Sequence, residues 1–260
     1  MPNDLVRFWQ DFSESKRPFL HPQDDKSELW QKSDKFIDPR YSNFDDLIRC
    51  QFSGFDNRFH LSLLPIPYAG DLSRAEIVIL QLNPGLQFVD YWAEDNMPIF
   101  RKRFVANLRQ DFEGVKSPFL YLDPQFCWHS GFVYWEAKLR HVASVIAEKK
   151  FEKSYFDALR YLSRHLAVIE LVPYHSASFG AHSLIGRLPS ATAAREFVRK
   201  SLVPEAKAGR RTLIVARRAK EWHLPKGCKD IVIYSPKLAQ GAGFGPHSPG
   251  AKAILKRLCG

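Results

Sequence analysis

The run Ile77-Val78-Ile79-Leu80-Gln81-Leu82 ends in the polar turn Asn83-Pro84-Gly85. Consecutive branched and long aliphatic residues fit a strand buried on both faces, as in a parallel sheet covered by helices. Ligands of open α/β sheets gather outside the carboxyl ends of the strands, so Asn83, a polar side chain where the strand stops, faces the expected crevice. Its amide can hold a water or a substrate edge but is no strong base. Glu170 is a second chemical signal, a carboxylate inside the apolar run 166–173. Burying it unpaired costs several kcal/mol or raises its pKa, so it either faces a cavity at the strand end or pairs with a cation. Tyr174, His175, Ser176, Ser178 and His182 follow it in a polar loop.

Four strand signals, at 77–82, 166–173, 211–216 and 230–234, have helical segments or loops between them. This rhythm predicts an α/β fold with a central, mainly parallel four-stranded sheet. Helices are expected near 137–148, 155–166, 191–202 and 251–258, the last with Ser248 as N-cap and Pro249 as its first residue. Residues 1–60 read as a helical N-terminal extension packed on a main domain at 61–260. Leu5, Phe8, Trp9 and Phe12 share one helical face there, and Trp30 is among the further aromatics. The proline-punctuated segment 64–71 reads as an extended connector. Phe88, Tyr91 and Trp92 follow the polar turn, placed either to stack a base or to pack a helix onto the sheet. After Tyr234-Ser235-Pro236, Gly241, Gly243 and Gly245 permit close backbone approach to a ligand or phosphate.

A chain of 260 residues, 45% of them hydrophobic, suits one compact α/β domain with decorations. No apolar run approaches the roughly 20 residues of a membrane helix, and Met1-Pro2-Asn3-Asp4 lacks the basic-then-apolar pattern of a secretory signal. A cytoplasmic location is expected. Cys50, Cys127, Cys228 and Cys259 form no C-x-x-C pair, and are expected to be reduced thiols without zinc or an iron–sulfur cluster. No phosphate-binding G-x-x-x-x-G-K-[ST] loop is present, and His175 and His182 do not have a standard metal spacing, so neither cofactor nor metal is expected. The net charge of +10 favours a polyanionic partner, nucleic acid first. From residue 200 onward thirteen Lys and Arg, including Lys226 and Lys229, face only Glu205, Glu221 and Asp230.

Taken in order, the strand-end signals resemble the uracil-DNA glycosylase superfamily across residues 64–258. Leu82-Asn83-Pro84-Gly85 is similar to the first motif of its mismatch-specific and single-strand-selective branches. The Leu64-Pro65-Ile66-Pro67-Tyr68 lead-in, Tyr134-Trp135 with Lys138-Leu139, and a last strand ending in Ser235-Pro236 add to the likeness. The resemblance implies a three-layer α/β/α fold and a monomer that flips a base out of DNA and hydrolyses its N-glycosidic bond. On that likeness Asn83 positions the attacking water, and Gln81, Leu82, Glu170, Phe88, Tyr91, Trp92, Tyr174 and His175 are candidates for base recognition. Ser235, Pro236, Lys237, Leu238, Phe244 and His247 are candidates for DNA contact, with Leu238 or Phe244 as the wedge entering the vacated stack.

Two departures from the family pattern matter. Glu170 stands where many members carry an Asn that reads the base, and a carboxylate accepts from an amino group such as cytosine N4. Modified cytosine follows as the expected substrate, including the hydroxymethyl and glucosylated forms in some phage DNA, and the chain in this resembles the bacterial anti-phage glycosylases of the superfamily, which implies a role in anti-phage defence. Uracil repair and a non-catalytic binding module on the same fold are the alternatives. The family's H-P-S-P type motif has two counterparts, Tyr234-Ser235-Pro236 and His247-Ser248-Pro249, and both stay open as the source of leaving-group stabilisation.

Overall fold

The computed structural model describes residues 3–26, 35–50, 52, 54–225 and 231–260. Trp30, Lys226, Cys228, Lys229 and Asp230, which enter the sequence reading, lie outside them. All four anticipated strands form and run parallel: β2 (Ile77–Gln81), β3 (Leu166–Glu170), β4 (Thr212–Val215) and β5 (Ile231–Ile233). The sheet is nevertheless five-stranded and mixed, in the order β1-β3-β2-β4-β5, because β1 (Tyr68–Ala69) pairs antiparallel with β3. This corrects the expectation of a mainly parallel sheet of four strands, since the four parallel strands are joined by an antiparallel fifth. The proline-rich lead-in does more than connect: Ile66 N donates to Pro173 O (2.8 Å) and Glu170 N to Pro67 O (3.0 Å). Pro65 and Pro67 have no N–H to give to a ladder, so they are tolerated only at such an edge. The lead-in thereby covers the unpaired side of β3.

Every residue of β2 and β3 is buried, as strands covered on both faces require. From β2 the chain passes through α4 (Phe88–Asn96), α5 (Pro98–Arg109), α6 (Ser130–Lys150) and α7 (Tyr155–His165) to β3 on one side. It then crosses through α8 (Pro189–Phe197) and α9 (Val203–Lys207) to β4 on the other. The strand order therefore reverses between β2 and β4, and a crevice opens at their carboxyl ends. Pro204 at the start of α9 has no N–H, and the helix widens into a π segment (Val198–Leu202) just before it. The closing helix α11 (Pro249–Cys259) is capped by Ser248, which accepts from Ala251 N.

The described residues of the first 60 include three short helices, α1 (Asp4–Trp9), α2 (Pro22–Asp25) and α3 (Phe44–Arg49). Leu5, Trp9, Phe12 and Phe19 sit in the same core cluster as the strands. Ser235 caps a six-residue helix, α10 (Pro236–Gly241), so the segment leading into Gly243 and Gly245 is not all loop. Among the described residues no helix is long and apolar enough to cross a membrane.

Candidate functional site

A cavity of about 1030 Å³ opens at the carboxyl ends of the parallel strands. Its lining comes from the turn after β2, the end of β3, Arg217 two residues after β4 and the first turns of α4 and α6. Asn83 lies between the extensions of β2 and β3, which stay knit past the sheet by Val172 N donating to Leu82 O (2.8 Å). Its Nδ2 donates to Pro84 O (2.8 Å), Ser176 Oγ (2.9 Å) and Tyr174 O (3.5 Å). Two of these partners are carbonyls, which can only accept, so the amide orientation is determined. Among the described residues Oδ1 has no donor, which leaves an oriented acceptor on a side chain that lines the cavity.

Glu170 ends β3 directly beside Gln81, the last residue of β2. Both are buried, at 8% and 4% exposure, and both line the cavity. Glu170 Oε2 and Gln81 Nε2 have no hydrogen-bond partner among the described residues. Burial pushes the Glu170 carboxyl up to about 8, with the nearby Arg217 charge pulling it down. A group with that pKa is mostly a neutral acid at pH 7, able to donate as well as accept. Arg217 comes two residues after β4, is half-buried, and also acts on Tyr134, whose hydroxyl burial pushes up.

Behind the turn, His175 Nδ1 lies 2.7 Å from Gly85 O and Nε2 lies 3.2 Å from Leu64 O. Burial lowers its pKa, and a neutral ring carries one N–H, so only one of these two carbonyls receives its hydrogen bond at a time. The lead-in is held a second time by Glu94, whose two oxygens accept from Leu64 N at 3.1 Å. On the α4 and α6 side, Asp90 accepts from Gln87 N (2.6 Å) and Ser130 Oγ (2.9 Å), and His129 Nε2 stands 3.2 Å away. His129 Nδ1 accepts from Gly131 N, and burial pushes this imidazole down to about 4. This Ser, His and Asp do not form a nucleophile relay, since the serine donates to Asp90 and the imidazole acceptor is spent on α6. Gly131 is required where it stands, as a Cβ would come within 2.4 Å of the Tyr121 ring.

Of the sequence-predicted residues, the fold brings Asn83, Gln81, Leu82, Phe88, Glu170 and His175 to the cavity lining. Tyr91, Trp92 and Tyr174 do not line it. Tyr91 is buried in a separate cluster with Tyr41 and Leu47, and its hydroxyl meets His60 Nδ1 and donates to Tyr41 O. Trp92 packs edge-on against Trp128. The Tyr174 hydroxyl donates to the buried Asp24, though its backbone carbonyl serves Asn83. Ser235, Pro236, Lys237 and Leu238 are exposed at the start of α10, as is His247 before α11. Phe244 is fully buried against Gly250 and Tyr234, so of the two wedge candidates only Leu238 is exposed, at 44%.

Arg217, Asp90, His129 and Tyr121 line the cavity without having been picked out from the sequence. Arg217 had a usable signal, because it closes the apolar run of β4 as Asn83 closes that of β2. Asp38, Asp56 and His60 lie close enough together to hold a cation. Their carboxylates are already engaged by Arg40 (2.5 Å to Asp38) and Arg58 (2.8 Å to Asp56). His182 of the polar loop is exposed and faces Arg218 (3.3 Å). Comparisons with protein-family models, curated proteins and solved structures return no match for this chain.

Proposed function

We propose that this protein is a monofunctional DNA glycosylase that takes a flipped base into the strand-end cavity, hydrolyses its N-glycosidic bond and leaves an abasic site. On this reading the sheet and its helices form the three-layer arrangement of the uracil-DNA glycosylase superfamily, acting as a cytoplasmic monomer. The observation that carries the reading is the fastened Asn83 amide. Its nitrogen is spent on Pro84, Tyr174 and Ser176, leaving Oδ1 as an acceptor for one water. In hydrolysis the bond from C1′ to the base breaks with its electron pair leaving on the base, and the water oxygen bonds to C1′. The developing sugar cation needs a positioned water more than a strong base, a role an amide can fill. The water's proton is released to solvent.

Glu170 supplies the complementary help at the base. As a neutral acid in a buried site it donates a hydrogen bond to the departing base, while its carbonyl oxygen accepts from an amino group. An amino-bearing edge favours cytosine derivatives, and the cavity of about 1030 Å³ leaves room for a hydroxymethyl or glucosylated substituent. Such bases occur in phage DNA, which makes anti-phage defence the biological setting. The net charge of +10 favours the polyanion, with Arg217 on the cavity lining, Lys237 exposed at the start of α10 and the exposed Leu238 as the wedge. Flipping costs a few kcal/mol, offset by stacking and edge contacts in the pocket.

One observation favours uracil or another deaminated base as a second substrate class: a protonated Glu170 can also donate to a 4-oxo group. Oligonucleotides carrying uracil, cytosine, hydroxymethylcytosine or its glucosylated form, treated with alkali after incubation, separate the readings. Breaks at modified cytosine are expected. Breaks at uracil alone would replace the substrate assignment, and no break with any of them would leave a binding module.

A further inference from the structure

Gln81 is out of place as a structural residue. It terminates a strand of Ile, Val, Ile and Leu, is itself 4% exposed, and its Nε2 has no partner among the described residues. A buried donor left unmade costs about 1–3 kcal/mol, and a Leu or Met of similar size would avoid that cost. Glu170, its direct neighbour in the parallel register, carries the same oddity at Oε2. Although a carboxyl and an amide of matching length stand side by side, they do not satisfy each other. Both line the same cavity, whose lining also includes the flat or apolar side chains of Tyr121, Trp135, Ala69 and Val168.

We infer that Gln81 and Glu170 form a two-point reader of a pyrimidine edge, with Gln81 donating to the 2-oxo group and Glu170 meeting the ring nitrogen and the 4-substituent. Neighbouring strands are about 4.8 Å apart, close to the separation of the two exocyclic groups that flank a pyrimidine ring nitrogen. Side chains of equal length on adjacent strands carry their polar ends to one depth, so a flat ring entering between the walls meets both. Adenine and guanine lack the 2-oxo acceptor of such a pair. The inference rests on the base-excision reading for its biological meaning, but the ligand class follows from the pair itself.

Binding of free bases tests the pair apart from bond cleavage. Trp135 lines the cavity and reports occupancy by quenching. Saturable quenching by cytosine is expected, weaker by about tenfold for 2-thiocytosine, since one hydrogen bond of about 1.4 kcal/mol is a factor of ten. Gln81→Leu should bind cytosine about tenfold more weakly and no longer distinguish the two bases, a loss of discrimination that a merely structural role would not produce. Gln81→Met guards against a packing artefact, and thermal melts check that both variants fold. Undiminished discrimination in either folded variant, or no saturable binding of any free pyrimidine, would overturn the inference. Base release from oligonucleotides that is unaffected by Gln81→Leu would also overturn it while leaving the glycosylase reading intact. Gln81-dependent binding without base release from any oligonucleotide would support the reader and remove the glycosylase.

Discussion

Replacing Glu170 by Gln probes the buried carboxyl through pH, independently of any activity. Burial pushes this group up to about 8 from an ordinary value of 4.5, with Arg217 opposing the shift. Between those values the folded state keeps a proton that the unfolded chain has released. The group's contribution to stability is therefore complete below the unfolded pKa and is lost as pH rises through the folded one. The slope is about 1.4 kcal/mol per pH unit, on the order of 5 kcal/mol across the whole window. Glu94, also pushed up to about 8 by burial, acts in the same window. The buried imidazoles act in the opposite sense below pH 6.5: His60 and His129 are pushed down to about 4, and His175 is also lowered. Above 6.5 the two carboxyls are left unopposed, so wild-type stability should fall between pH 6.5 and 8 by about 2 kcal/mol for each. Glu170→Gln keeps the shape and removes one titration. Urea unfolding from pH 5 to 9 should show the variant gaining on wild type by about 1.4 kcal/mol per pH unit and levelling above pH 8. A difference independent of pH would refute the buried, neutral carboxyl.

Other consequences are equally direct. Ser176→Ala removes the 2.9 Å acceptor of the Asn83 amide and should slow base release about fivefold, an effect of about 1 kcal/mol, without changing DNA affinity in a filter-binding titration. Arg217→Gln removes the cation beside Glu170, so the fall in stability with pH should move to still higher pH, and the salt slope of DNA binding should drop by about one. Phe244→Ala should cost about 3–5 kcal/mol in urea unfolding because the ring is fully buried. Leu238→Ala should cost under about 0.5 kcal/mol and slow release from duplex more than from single-stranded DNA.

The parallel strands were legible because each is a short apolar run closed by a polar residue, and Asn83 and Glu170 stood out as the residues that closed or interrupted such runs. β1 was not, because two residues framed by prolines carry no periodicity, and their pairing with β3 is a tertiary fact. Arg217 was hidden in a basic stretch whose charge drew attention away from its position after β4. Tyr91 and Tyr174 show the converse limit. Composition places aromatics near the turn, but only packing decides that one hydroxyl meets His60 and the other Asp24. The role of His175 was similarly invisible, since its partners are backbone carbonyls of Gly85 and Leu64, far apart in the chain.

On the proposed function Asn83 holds the water that attacks C1′. Asn83→Ala, assayed in single turnover on the oligonucleotide that wild type cleaves fastest, should lower base release by at least about a hundredfold, in the range of a lost transition-state contact, with DNA affinity within about twofold of wild type. Base release by Asn83→Ala at the wild-type rate would show that the Asn83 amide does not hold the attacking water.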